Sequence, residues 1–198
     1  MNVYYTIEKK SVAEFKDRGS KFLAYAFPVK NTDQVKECLQ EVKKEHPKAT
    51  HHCYAYRLGT DGTQFRAVDD GEPAGSAGKP ILGQIDSKQL TDVLVVVVRY
   101  FGGTLLGVPG LINAYKMSGA MSLQLIPAVQ KNVEARFLLV FDYTILNEVM
   151  MVVKQNNCTV HKQDIQLFCS MEIGIPKASL DLTLLRLRDI YNLEIKPL

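Results

Sequence analysis

No apolar run in this chain is long enough to cross a bilayer as a helix. The longest unbroken aliphatic stretch, Val93 to Val98, has six residues, where a helical span needs roughly 18 or more. The opening residues Met1-Asn2-Val3-Tyr4-Tyr5 lack the charged start and apolar stretch of a secretory signal. A cytoplasmic protein with no membrane contact is therefore expected. Cysteine is scarce, and Cys38, Cys53, Cys158 and Cys169 show no C-x-x-C spacing. They read as reduced, mostly packed thiols rather than a disulfide framework. Net charge is small, at +3. It neither demands nor excludes nucleic acid, because a local basic face matters more than the total. Repeats and low-complexity tracts are missing. So are the phosphate-binding strings G-x-x-x-x-G-K-S/T and G-x-G-x-x-G and the hydrolase elbow G-x-S-x-G. What is there is an ordinary globular composition, 46% hydrophobic and 23% charged over 198 residues. That excludes disorder, collagen and coiled coil as the main state and suits one large or two small domains.

The pattern changes near residue 130, so domains at 1–130 and 131–198 are expected. Residues 131–198 balance acid against base, and the whole excess of three positive charges lies in the first part. In the second part, Ala135 to Tyr143 is apolar and β-prone. Thr144 is a candidate N-cap for a helix to Gln155, with Ile145, Val149 and Val152 on one face. Strands follow at Thr159 to Asp164 and Gln166 to Ile175, with an Asn156-Asn157 turn before them. Pro176 and Ser179 open a second helix with Leu180, Leu184, Leu187 and Ile190 inward, and Leu193 to Ile195 closes as a strand. The order is β-α-β-β-α-β, the split βαβ plan of ferredoxin-like folds.

The first part is expected to be a mixed sheet with about three helices, so the whole chain reads as α+β. Strands are predicted around Val3 to Lys9 and at Ser20 to Val29. A helix capped by Thr32 or Asn31 runs to about Glu45. His52 to Leu58 and Gln64 to Val68 pair across the turn Gly59-Thr60-Asp61-Gly62. Thr91 to Tyr100 forms a buried central strand, and Pro109 stands at the start of a further helix.

Two segments carry chemical information. The first is Asp69-Asp70-Gly71-Glu72-Pro73-Ala74-Gly75-Ser76-Ala77-Gly78-Lys79-Pro80-Ile81-Leu82. A small-residue loop running into a helix presents unpaired N–H groups, and these with the helix dipole favour an anion. Gly75, Ser76 and Gly78 would let a phosphate approach, and Lys79 would add a charge. The alternative is that Asp69, Asp70 and Glu72 cap that helix end themselves, clamp the loop, or hold Mg²⁺ through water. The second segment runs from Val95 to Leu111 and is broken by Gly102, Gly103, Gly107 and Gly110. Arg99 at the end of a buried strand is costly unless it reaches water, a carboxylate or a ligand. It is a candidate phosphate contact with Tyr100 stacking on a base, or a clamp onto Asp69, Asp70 or Glu72.

With His51-His52-Cys53-Tyr54-Ala55-Tyr56-Arg57, these strings resemble the IMPACT family, in particular its bacterial members of the YigZ type. The resemblance covers essentially the whole chain. One departure is Val108-Pro109, where the family usually shows a small or polar residue and then Gly; the proline removes an N–H donor. The resemblance implies a first domain like ribosomal protein S5 domain 2. It also implies a ferredoxin-like second domain similar to the last domain of elongation factor G. The family has no established enzymatic activity. Its eukaryotic members regulate translation by binding the activator of an amino-acid-starvation kinase, a partner that does not carry over to bacteria.

Other chemistry is less well supported. In a strand, His51 and Cys53 share one face and His52 takes the other, so no three ligands converge for zinc. Ser76, His51 and Asp70 supply the content of a triad but not its spacing. The expectation is a non-enzymatic protein with no cofactor, metal or catalytic residue. It would bind RNA or the ribosome and regulate translation through Gly75, Ser76, Gly78, Lys79, Arg99, Tyr100, Gly102 and Gly103. A protein–protein interaction module and a small-molecule phosphotransfer or hydrolytic enzyme are the alternatives.

Overall fold

A computed structural model describes residues 2–198. The chain divides into two compact units, one of Tyr4–Lys131 and one of Asn132–Leu198 with residues 2–3.

The larger unit is a five-stranded sheet covered on both faces. β1 (Val3–Thr6) stands outside that sheet and pairs with β7 (Val129–Asn132) as a separate two-stranded ribbon. The sheet itself contains β2 (Ser11–Asp17), β3 (Ser20–Pro28), β4 (His51–Leu58), β5 (Gln64–Val68) and β6 (Val93–Tyr100) in the order β2-β3-β6-β4-β5. Every pairing is antiparallel, which corrects the expectation of a mixed sheet. β2 was not read as a strand from the sequence. It is an edge strand with only Ala13 and Phe15 turned to the core, and its charged residues mask the alternation.

β6 explains why both faces need helices. Its side chains alternate: Val93, Val95 and Val97 join one core, and Leu94, Val96 and Val98 join the other. All six are fully buried, each stabilising the fold by roughly 1.5–3 kcal/mol. Helix α1 (Thr32–Glu45) covers the second face with Val35 and Val42. Asn31 rather than Thr32 caps it, its Oδ1 accepting from the amides of Asp33 (3.1 Å) and Gln34 (2.9 Å). Helices α2 (Gly78–Ser87) and α3 (Gly107–Gln124) cover the first face through Ile81, Ile85, Leu111 and Tyr115. Pro109 is the third residue of α3 rather than its first; no intrahelical bond is lost, since first-turn amides have no partner within the helix.

The smaller unit has the expected element order. Strands β8 (Glu134–Asp142), β9 (Thr159–Asp164), β10 (Phe168–Pro176) and β11 (Glu194–Pro197) form an antiparallel sheet in the order β11-β8-β10-β9. Helices α4 (Leu146–Gln155) and α5 (Leu180–Arg188) bring Val149, Val152, Val153 and Leu187 to a core with Leu139, Met171 and Ile173. Thr144 is not the cap. Asp142 accepts from the Thr144 amide at 2.9 Å and opens a short 3₁₀ turn before α4. No described helix is long and apolar enough to cross a membrane.

Candidate functional site

The alternation that buries β6 also splits its last two polar residues. Arg99 falls on the face of α2 and α3, and Tyr100 falls on the face of α1. Arg99 is 5% exposed and Glu72 9%. The Arg99 Nη1 donates to Glu72 Oε1 at 2.7 Å. Of the three carboxylates considered as its partner, Glu72 is the one that takes it. The guanidinium carbon lies 5.7 Å from the Phe22 ring centre and 5.6 Å from that of Phe101, and its Nε is buried without a hydrogen-bond partner.

Glu72 gathers further groups. Tyr115 of α3 donates its hydroxyl to the same Oε1 at 2.7 Å. His51 Nε2 stands 3.8 Å from that oxygen, while its Nδ1 meets the Asp70 carbonyl at 2.7 Å. The Cys53 thiol donates to the Asp69 carbonyl at 2.9 Å and lies 3.3 Å from the Tyr115 hydroxyl. Burial pushes the Cys53 thiol up to about 12 and raises Tyr115 as well. A thiol held so high is a poor nucleophile, because reactivity follows the thiolate. The network ties β4, β6, α3 and the first bend together. Sequence reading missed Tyr115 as a member, since at helical spacing it reads as core.

The first bend satisfies itself. Asp69 Oδ1 accepts from the amides of Ala77 (3.0 Å) and Gly78 (2.8 Å), and Oδ2 accepts from Gly75 (2.8 Å). Burial opposes ionisation of Asp69, but those three donors outweigh it and hold the carboxyl below the usual range. The carboxylate therefore occupies the anion position that the sequence offered to phosphate. Ser76 is fully buried and donates to the Pro73 carbonyl at 2.6 Å. Gly78 admits the backbone of β5 and not a ligand, for a Cβ there would come 2.5 Å from the Val68 amide nitrogen. Lys79 stays exposed. The Asp70 carboxylate accepts from the His52 amide at 2.7 Å. The carboxylates of Asp69, Asp70 and Glu72 thus clamp the loop, and no described group of three or more His, Cys, Asp or Glu could hold a metal. Ser76, His51 and Asp70 do not form a relay: the serine faces Pro73, and the His51 ring meets the Asp70 main chain, not its carboxylate.

The second bend is built differently. Gly102 packs on Gly19, where a Cβ would overlap the Gly19 carbonyl carbon, and its amide donates to Ser20 Oγ at 3.2 Å. Gly102 is thus a seam between two turns, not an approach for a ligand. Gly103 has φ +86° and open space around it. No side chain caps α3 and no acid lies in its first turn. Arg18, at φ +43° beside Gly19, donates from Nη2 to the Leu106 carbonyl at 3.1 Å with half of its side chain exposed. Phe101, Leu105, Val108 and Ile112 are exposed around the bend. Tyr100 belongs elsewhere, since its hydroxyl meets His46 Nδ1 at 2.9 Å. Sequence reading did not single out Arg18, and His46 reads there only as a remote metal ligand upstream of His51-His52-Cys53. The turn Asp17-Arg18-Gly19 was the available signal for Arg18, and it went unread with β2.

The sequence pattern of the Impact N-terminal domain matches residues 18–123. A Haemophilus influenzae protein named as an IMPACT family member is 34% identical over 180 residues, covering 89% of this chain and 87% of its own length. The chain belongs to the IMPACT family. YigZ of Escherichia coli, another member, is 32% identical over 163 residues, covering 81% of this chain and 80% of its own. A crystal structure of a hypothetical protein superposes with a TM-score of 0.76 at 28% identity, over 100% of this chain and 98% of the other. Both units of this IMPACT chain thus have counterparts in one solved structure.

Proposed function

We propose that this protein is a non-enzymatic regulator of translation that binds structured RNA, on or off the ribosome. Its larger unit is read as an S5 domain 2-like IMPACT domain and its smaller unit as ferredoxin-like. Membership of the IMPACT family, whose eukaryotic members regulate translation, supports the role. The observation that carries the RNA contact is the second bend. There α3 starts without a side-chain cap, Phe101 is exposed two residues before the open Gly103, and the half-exposed Arg18, beside Asp17, bonds the Leu106 carbonyl three residues after it. Exposed aromatics stack on unpaired bases, and cations with helix amides hold phosphate. Lys79, exposed at the first bend, lies outside this contact, and Arg99 acts as an internal clamp. The absence of a catalytic step is supported by the raised Cys53 thiol and the buried Ser76. The test is binding of the full chain to ribosomal RNA over a series of salt concentrations. Affinity should fall linearly in log–log form as counterions are released. A flat response, or no binding at low salt, overturns the reading.

A second reading is a protein-interaction module. The exposed apolar side chains Phe101, Leu105, Val108 and Ile112 favour it, because apolar residues grouped at one exposed element mark protein contacts. Recovery of partners after nuclease treatment distinguishes the two: protein partners that survive favour this reading.

A further inference from the structure

Away from both glycine bends, the larger unit contains a cleft of about 450 Å³ whose lining includes Ile7, Lys9, Val29, Lys30, Asp92 and Lys131. That volume falls within the range of roughly 300–1,000 Å³ typical of small-molecule sites. Its lining combines an apolar wall with three lysines and two carboxylates, Glu8 and Asp92. Ile7 and Val29 are buried and form the apolar part with Pro28.

The cationic part is held in place from behind. Asp92 is buried, with φ +57°. Its Oδ1 accepts from the Gly59 amide at 2.9 Å and its Oδ2 accepts from Lys30 Nζ at 2.6 Å. Lys30 also donates to the Tyr4 hydroxyl at 3.2 Å, and its ammonium stands 5.3 Å from the centre of the Tyr4 ring. Burial works against the Lys30 ammonium, but the bonds to Asp92 and Tyr4 outweigh it and keep it charged. An ammonium has three donors; Asp92 and Tyr4 use two, and one remains for a ligand. Lys131 pairs with Glu8 at 2.9 Å, a surface contact that a more highly charged partner can replace. Lys9 is exposed and makes no ion pair among the described residues. Three lysines face two carboxylates, so the cleft keeps one net positive charge.

We propose that this cleft binds a small phosphate-bearing ligand. The phosphate would lie among Lys9, Lys30 and Lys131, and any organic part against Pro28 and Val29. Lysines act as point charges with freely turning donors, which suits a compact doubly charged phosphate. No arginine fork is present to select a planar carboxylate. The site is independent of the RNA reading, since it shares no residue with either bend.

The experiment follows backbone amide resonances of the full chain while AMP, inorganic phosphate or adenosine is added. AMP or phosphate should shift the amides of residues 6–9, 29–30, 92 and 131 saturably. Tighter binding of AMP assigns a phosphate ester, and equal binding assigns the free ion. The Lys9→Ala/Lys131→Ala variant should bind about tenfold more weakly or worse. Its fold is checked by an unchanged spectrum elsewhere. Lys154→Ala, in the smaller unit, should bind as the parent does. Absence of saturable shifts with both AMP and phosphate overturns the proposal. So does adenosine binding as tightly as AMP, or unchanged affinity in the double variant.

Discussion

The bend before α2 and the bend before α3 both carry the chain from the five-stranded sheet into a helix, and both are rich in glycine. At the first, Asp69 takes three amides, Ser76 and Gly78 are buried, and Glu72 closes on Arg99. At the second, α3 has no capping side chain, and a charged side chain that bonds the bend is a cation, Arg18, which stands 3.5 Å from the Asp17 carboxylate. One acid at the right position lets a glycine loop satisfy its own helix start and become a structural joint. Glycine content alone does not distinguish the two outcomes.

The joint should be the more costly place to break. Glu72→Ala leaves Arg99 buried and unpaired, and removal of one member of such a pair costs roughly 3–5 kcal/mol. Denaturant unfolding checks this. Replacing both members, as Glu72→Leu with Arg99→Met, should recover most of the loss, since apolar substitutes for buried pairs are often neutral. If the single and double variants are equally unstable, the pair is not what joins the loops.

The second bend contains its own internal contrast. Gly102→Ala drives a methyl into the Gly19 backbone and should cost roughly 2–3 kcal/mol, as overpacking does. Gly103→Ala meets no atoms but must hold φ +86°. It should cost about 1 kcal/mol from backbone strain alone. Thermal unfolding of the two variants side by side ranks them. An equal loss would mean that Gly102 is not the seam.

Asp69→Ala should cost about 2 kcal/mol, the upper end for a lost cap, and should make the first bend resemble the second. Sulfate should then shift the amides of Gly75, Ala77 and Gly78 in the variant and leave them unmoved in the parent. The acid limb follows with its sign. Because the folded state holds the Asp69 carboxyl below its unfolded value, its contribution is complete above about pH 4 and fades as pH falls through the folded value. Asp69→Ala should flatten stability against pH in that window. Sulfate shifts at these amides in the parent would show that the carboxylate does not fill the site.

Much of this architecture was readable because the patterns were local. The β-α-β-β-α-β order followed from apolar periodicity. The facing of His51 and Cys53 away from His52 followed from strand alternation. The same rule already separated Arg99 from Tyr100, and applying it there would have removed Tyr100 from the candidate grip. Asp69 lies six to nine residues before the amides it caps, beyond the reach of a capping pattern read at N-cap and N3. Tyr115 and Glu72 meet 43 residues apart in sequence, a contact that the fold makes and no spacing shows. Gly78 and Gly102 look like ligand approaches in a string, but in space each admits another strand or turn.

The smallest expected effect discriminates most sharply between the bends. If RNA rests on the second bend, Arg18→Ala should lower the slope of log affinity against log salt by about one, the share of one phosphate contact. Lys79→Ala, at the first turn of α2, should leave the slope unchanged. Lys79 is exposed, so its loss should move stability by no more than about 0.5 kcal/mol, while Arg18→Ala also gives up the bond to the Leu106 carbonyl and should cost about 1 kcal/mol. The reverse result would return the RNA contact to α2. There Lys79 would have to act without the amides, because Asp69 already holds them. A slope unchanged in both variants would move the contact off the two bends altogether, leaving the exposed apolar side chains around α3 for a protein partner.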